Sequence, residues 1–349
     1  MIRPFDWRDL SLLHRLRAGG LCLDAQLAYT RGPNTLQHAV LDALNPIQSA
    51  CTLVARAQGG DGPDCIGQYL YRHQDSLARL TFVSPADTLN EWPGMQLLDA
   101  LTRAAGSQGA RHLVAEVDEH LPAFEALRRA GFAVYARQRI WRLDPPPEVG
   151  SLHAASPAPA AWRHEGAGDE IAVAMLYANL VPALVQQVEP PPHRNGRGWV
   201  HGQQSEILAY LSTDRGPLGT WVQPYLHPAV DSVDDLLQSF FSTIPRRPGR
   251  PVYIVVRSYQ GWLNDILERL GLQPVCDQAV MVRRLVVPVR QPAVAAERAP
   301  AGVTIKPTAP MARIDLEPGP RDPAGGRDRA WTLCAQPDRR MRRTPPGIW

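Results

Sequence analysis

Arg111–Leu143, RHLVAEVDEHLPAFEALRRAGFAVYARQRIWRL, decides the fold. Its apolar run at Leu113–Val117 predicts a buried strand, and the spacing over about Pro122–Ala130 predicts an amphipathic helix. Gly131 can take the left-handed conformation that ends a helix, and Phe132 can fold back onto the core. A second strand then ends at Leu143. The same order of elements recurs at Arg250–Leu285, RPVYIVVRSYQGWLNDILERLGLQPVCDQAVMVRRL. Gly131 lies seven residues before Gln138, and Gly271 lies seven before Gln278. Two copies of one strand–helix–glycine–strand unit describe a duplicated architecture.

The rest of the chain is consistent with that reading. At 349 residues it has room for two domains, each with its own core. Charge is unevenly spread: residues 291–349 carry ten Lys/Arg and six Asp/Glu, leaving 27 and 28 for residues 1–290. A near-neutral body gives no ground for nucleic-acid binding, and the tail run Arg339-Arg340-Met341-Arg342-Arg343 reads as solvated disorder. Five scattered cysteines without a CxxC pair fit a reducing cytoplasm rather than a disulfide framework or a zinc site. The ten histidines show no ligand-like spacing, so no metal is expected. The N-terminus carries charges where a signal peptide needs an apolar run. The longest apolar segment, Ile171–Val185, is too short to span a bilayer, so no membrane partner is expected.

In chain order, a short strand at Ile2–Phe5 leads to a helix with Asp6 as N-cap, and a second helix is expected over about Leu36–Leu44. Strands at Cys51–Ala57, Cys65–His73 and Leu77–Val83 form an antiparallel meander, which Ser84-Pro85 ends. A helix from about Pro93 to Gly106 precedes the opening unit. A Pro/Ala/Gly-rich linker at 145–160 follows. The cycle then restarts with a possible strand at Trp162–His164 and one long helix through Ile171–Val188. Next come strands at Glu206–Ser212 and Leu218–Tyr225 about a turn at Thr213–Pro217, and a helix over about Val233–Phe241. Residues 291–349 have no apolar periodicity and are expected to be disordered.

This α+β order, with Val83-Ser84-Pro85, Gln96-Leu97-Leu98-Asp99-Ala100-Leu101 and the LRRAGF ending, resembles the GNAT superfamily of N-acyltransferases. The chain looks like a tandem protein with two GNAT-like domains, at 1–144 and 161–290. The resemblance implies, in each, a twisted mixed sheet flanked by helices that splays between its fourth and fifth strands. Acetyl-CoA or another acyl-CoA would lie in that notch as co-substrate, its pyrophosphate on the amides that open the central helix. The cofactor contacts it implies are Val83, Trp92, Gly94, Met95 and Gln96. The acceptor would be a small-molecule or peptide amine.

The family's phosphate loop reads Arg/Gln-x-x-Gly-x-Gly/Ala before the helix. Counted back from Leu97-Leu98, its key positions are Leu89, Trp92 and Gly94, of which only Gly94 fits. Counted back from Leu236-Leu237 they are Pro228, Asp231 and Val233, and none fits. Asp231, Asp234 and Asp235 put carboxylates where a phosphate would sit, so the first domain is the better candidate. Leu127 and Leu267 stand where many members place the Tyr that protonates the departing thiolate. Acid–base candidates are Glu116 and Asp118 near the end of one strand, and Tyr225 and His227 after its counterpart. Arg257 could hold an anion. The plainer reading of its surroundings has Ser258 as a helix cap and Trp262 as core. Two functions therefore remain open: acyl transfer to an amine, or a catalytically silent relative that binds a small molecule or protein.

Overall fold

The Arg111–Leu143 stretch folds into a strand at His112–Val117, a helix at Pro122–Arg129 and a strand at Ala133–Leu143. Pro122 occupies the first helical position, where its missing N–H costs nothing. Gly131 (φ +84°) closes the helix, with the Gly131 amide donating to Arg128 O and the Phe132 amide to Leu127 O. The second copy repeats this at Gly271 (φ +82°), where the Leu272 amide donates to Leu267 O.

The computed structural model describes residues 1–16, 19–32, 48–56, 64–73, 75–145, 162–192, 198–203, 206–244 and 249–285, all within one unit, Met1–Arg290. The helix expected at Leu36–Leu44, nearly all of the linker and the 291–349 tail lie outside the described residues.

The first half contains strands β1 (Ile2–Pro4), β2 (Leu21–Cys22), β3 (Gln48–Ala55), β4 (Cys65–Arg72), β5 (Leu77–Ser84), β6 (His112–Val117) and β7 (Ala133–Leu143). Its helices are α1 (Leu10–Leu16), α2 (Ala25–Arg31), α3 (Gly94–Ser107) and α4 (Pro122–Arg129). The second half contains strands β8 (Arg163–His164), β9 (Gly198–Gln203), β10 (Glu206–Arg215), β11 (Thr220–Leu226), β12 (Val252–Arg257) and β13 (Gln273–Arg284). Its helices are α5 (Glu170–Leu180), α6 (Ala183–Gln186), α7 (Val233–Thr243) and α8 (Leu263–Arg269).

Among the described residues all strands join one mixed sheet, ordered β1-β3-β4-β5-β6-β13-β7-β12-β11-β10-β9-β8, with β2 paired to β5. The two halves share a continuous sheet, and they share it by exchange. β13 lies between β6 and β7, and β7 lies between β13 and β12. Each half thus gives its last strand to the other.

Helices follow the same plan. Leu97, Leu98 and Leu101 of α3 and Ala126 and Leu127 of α4 bury against the first-half strands, while Leu236, Phe240 and Leu267 do so in the second. Each fully buried Leu contributes about 1.5–3 kcal/mol. α2 crosses over: Ala25 packs with Ile140, Trp221 and Val255, and the Tyr29 ring lies 4.5 Å from that of Tyr253.

Four expectations need correction. The long helix through Ile171–Val188 is two helices, because Pro182 forces Val181 into an extended conformation (ψ 128°). The turn expected at Thr213–Pro217 starts later: Thr213, Asp214 and Arg215 pair with Val222, Trp221 and Thr220. β9, which the sequence reading does not assign, completes a second three-strand meander. Ser258 makes no side-chain cap, and Trp262 is exposed rather than core.

Candidate functional site

The notch is a matter of register. β5 and β6 run parallel and pair only at Leu77–His112, Ala78–Leu113 and Arg79–Val114. β11 and β12 pair only at Thr220–Val252, Trp221–Tyr253 and Val222–Ile254. Beyond these rungs each strand pair diverges, leaving backbone groups that need other partners.

In the first half the partner is the chain itself. Leu21 and Cys22 pair with Val83 and Phe82, the Leu23 amide donates to Thr81 O at 2.9 Å, and the Glu116 amide donates to Leu23 O at 2.8 Å. One extended segment therefore bridges both lips of the gap, with Leu23 only 1% exposed. Asp24 then caps α2 by accepting from the Leu27 amide, and Glu116 Oε2 accepts from the Ala25 amide at 2.8 Å. In the second half, counting along the strands puts Leu226 at the position of Val83. Its carbonyl accepts from Gln260 Nε2 at 3.1 Å, and Gln260 is buried.

Two meanders, two short parallel pairings that open into notches, and two glycine-ended helices stand in one chain. This is the arrangement that the resemblance to the GNAT superfamily implies.

No protein-family model matches the chain, and no curated protein does either. Among solved structures it is similar to the tandem GNAT protein from the clavulanic acid biosynthesis pathway, solved without acetyl-CoA. The two are 17% identical over 81% of this chain and 98% of the other, with a TM-score of 0.49. It is also similar to a GCN5-related N-acetyltransferase from Sphaerobacter thermophilus, at 16% identity over 81% and 95% of the two chains and a TM-score of 0.49.

The residues of this chain do not fit acyl-CoA in the notches where that resemblance would place it. The inner edge of Val83 is taken by Leu21, and Leu226 O by Gln260. At the start of α3 the Met95 amide already donates to Glu91 O, and Gly94 is fitted to its neighbours: a Cβ there would lie 2.3 Å from Thr88 O. Trp92 and Gln96 are exposed beside them. At the start of α7, Asp234 and Asp235 occupy the first turn, and Asp234 pairs with Arg269 at 2.8 Å.

The open concavity lies elsewhere. A cleft of about 490 Å3 is walled by α2, β4, β5, β10, β11 and the Glu189–Pro192 segment. At and behind its inner end is a buried charge network. Arg79 Nη1 lies 3.7 Å from Glu116 Oε1, and Arg257 Nη2 lies 2.6 Å from Glu189 Oε1. The Tyr135 hydroxyl also donates to Glu189 Oε1, and the Tyr177 hydroxyl donates to Glu189 O at 2.7 Å. Burial and the nearby Asp24 push the Glu116 carboxyl up, against the pull of Arg79 and Arg257. Burial opposes the charge on Arg257, but Glu189, Tyr135 and Glu116 hold its guanidinium above the ordinary range. Burial likewise pushes the Tyr225 phenol well up. Such a concentration of shifted groups beside a cleft is how functional sites look physically.

The structure separates the sequence candidates. Tyr225 lines the cleft and Glu116 lies behind it, held to Ala25. Val83, Trp92, Gly94, Met95 and Gln96 belong to the β5 end and the α3 start, and none of them lines the cleft. Asp118 accepts from the His120 amide, and His227 Nδ1 from the Ala229 amide. Arg257, singled out as an anion holder, binds the Glu189 carboxylate. Sequence reading missed Arg79, Glu189 and Gln223. The available signal was Arg79 itself, a charge inside the apolar strand LARLTFVS. No helix of the described residues is long and apolar enough to cross a membrane.

Proposed function

We propose that this protein is a catalytically silent tandem GNAT-fold protein that binds a small polar molecule in the central cleft. One observation carries the reading: both strand edges that acyl-CoA would use are satisfied by the chain's own residues, Leu21 at Val83 and Gln260 at Leu226. The cleft is a large concavity left open among the described residues, and its volume of about 490 Å3 suits a small ligand. The units of duplication on this reading are 1–144 and 161–290. The free state of all the described cysteines suits a reducing compartment such as the cytoplasm.

Calorimetry of the full chain with acetyl-CoA tests the reading. The expected result is no binding tighter than about 1 mM, which corresponds to about −4 kcal/mol. Saturable micromolar binding would overturn it.

N-acyl transfer to a small-molecule or peptide amine is the second reading. Both splays are retained after their three-rung pairings, although a sheet with no use for the gap could close it by continuing the ladder. Micromolar acetyl-CoA binding that is lost when Val83→Pro alters the strand edge would favour it.

A further inference from the structure

Resting on the cleft as the working site, we propose that its ligand is a small zwitterion of the α-amino-acid type. Its carboxylate lies on Arg79 and Gln223 Nε2, and its ammonium lies between Asp24 and Glu189.

Unused hydrogen-bonding capacity of both kinds meets here. On the donor side, the one ion pair of Arg79 within 4 Å among the described residues is the 3.7 Å pairing with Glu116, which is beyond hydrogen-bond distance. Its side chain is 35% exposed and lines the cleft. Gln223 Nε2, also on the wall, is buried without a partner among the described residues. Behind them Arg257, only 5% exposed, has no partner for Nε and Nη1 among the described residues. Buried donors left without an acceptor carry their desolvation cost, so a ligand oxygen placed here gains more than it would at the surface.

On the acceptor side, Glu189 takes both the Tyr135 hydroxyl and Arg257 on Oε1, which among the described residues leaves Oε2 for another donor. Asp24 uses Oδ1 for the Leu27 amide and, among the described residues, leaves Oδ2. Both residues line the cleft.

Net charge selects between ligand classes. Three arginines and four carboxylates line the wall, so neither sign prevails. A multiply charged anion would meet the carboxylates, and a polyamine would meet the arginines. A molecule carrying one charge of each sign pairs with both sets and brings no net charge into a partly buried site.

The test is thermal-shift screening and calorimetry of the full chain with the twenty free amino acids. Each is set beside its decarboxylated amine and its N-acetyl derivative, with inorganic phosphate and spermidine as further probes. At least one amino acid is expected to raise Tm and to bind about tenfold tighter than either truncated analogue. Arg79→Gln is expected to lose that binding, and Arg79→Lys to keep part of it. Gln223→Leu is the second variant, expected to weaken binding should Arg79→Gln fail to fold. Binding of the amine, phosphate or spermidine alone would overturn the zwitterion and leave the cleft as a site. Silence from every probe would overturn both. Unchanged amino-acid binding in folded Arg79→Gln would also overturn the proposal.

Discussion

Gln138 lies opposite Gln278 on neighbouring strands, and Gln138 Nε2 donates to Gln278 Oε1 at 2.9 Å. Each residue stands seven positions after the glycine that ends its helix, so the contact joins one repeat position to its own counterpart. That is the mark of an approximate twofold axis. The order β6-β13-β7-β12 reads the same from either side of it, and neither half holds a complete sheet alone.

The exchange predicts that residues 1–144 do not form a folded monomer. Without β13, both β6 and β7 present bare edges, which recruit another chain. The fragment is expected to aggregate, or to dimerise with β7 of one copy beside β7 of the other. Light scattering after size exclusion reads this directly, and a stable, cooperatively melting monomer would sink the idea.

At the axis itself, Gln138 is buried and its Oε1 has no partner among the described residues. Gln278→Ala removes the remaining bond of that side chain and is expected to cost about 1–3 kcal/mol in urea unfolding. Adding Gln138→Leu should recover most of the loss, because no buried amide is then left unpaired. Additive losses would contradict the pairing.

What was legible in the sequence was local. The glycine stops and the apolar runs of β6 and β12 are written in consecutive residues, and the duplication follows from them. The exchange was not legible, since nothing in QPVCDQAVMVRR says which half β13 joins. β9 was missed because GWVHGQ is part glycine and polar, and becomes a strand only by pairing with β10. The segment Leu21–Ala25 is too short to signal its place between β5 and β6. The cleft assembles residues from both halves, Arg79 and Glu189 among them, which only the folded sheet brings together. A further repeat did lie in plain view: Arg3 grips Asp9 and Arg163 grips Asp169, and each Asp also accepts from the amide three residues before it.

Those two pairs predict acid sensitivity. Arg3, aided by the Asp6 amide and Arg56 and opposed by burial, holds the Asp9 carboxyl down at about 2, and Arg163 lowers that of Asp169. A depressed carboxylate contributes stability above its unfolded value, about 3.9, and loses it as pH falls through the folded value. Urea midpoints should therefore drop between about pH 4 and pH 2, and by less in Asp9→Asn. Equal drops in the two proteins would show that the pair contributes nothing.

Gly94 carries a prediction that separates packing from phosphate binding. A methyl group there would sit 2.3 Å from the Thr88 carbonyl oxygen, so the backbone must move. Gly94→Ala is expected to destabilise the protein by about 1–3 kcal/mol without any ligand present. An unchanged melting temperature would mean that the close approach is relieved cheaply, and would return Gly94 to the list of ligand contacts.

Glu116 is the sharpest test of how the first notch is closed. Its amide donates to Leu23 O, its Oε2 accepts from the Ala25 amide, and its ion pair with Arg79 is long. Burial raises its carboxyl pKa, so ionised Glu116 costs the fold something, and this group's contribution falls as pH rises through the raised value. Glu116→Gln keeps an acceptor for Ala25 and removes the charge; it should lie within about 1 kcal/mol of the parent at pH 7. Glu116→Ala strands the Ala25 amide and opens a void, for about 2–4 kcal/mol. Hydrogen exchange should then quicken at Leu23 and Ala25 before the rest of the sheet, because that segment is what the carboxylate holds. If the segment is part of the fold, the alanine variant gains no affinity for acetyl-CoA. A gain of tenfold or more, about 1.4 kcal/mol, would instead make Leu21–Ala25 a displaceable strand and restore acyl transfer as the leading reading.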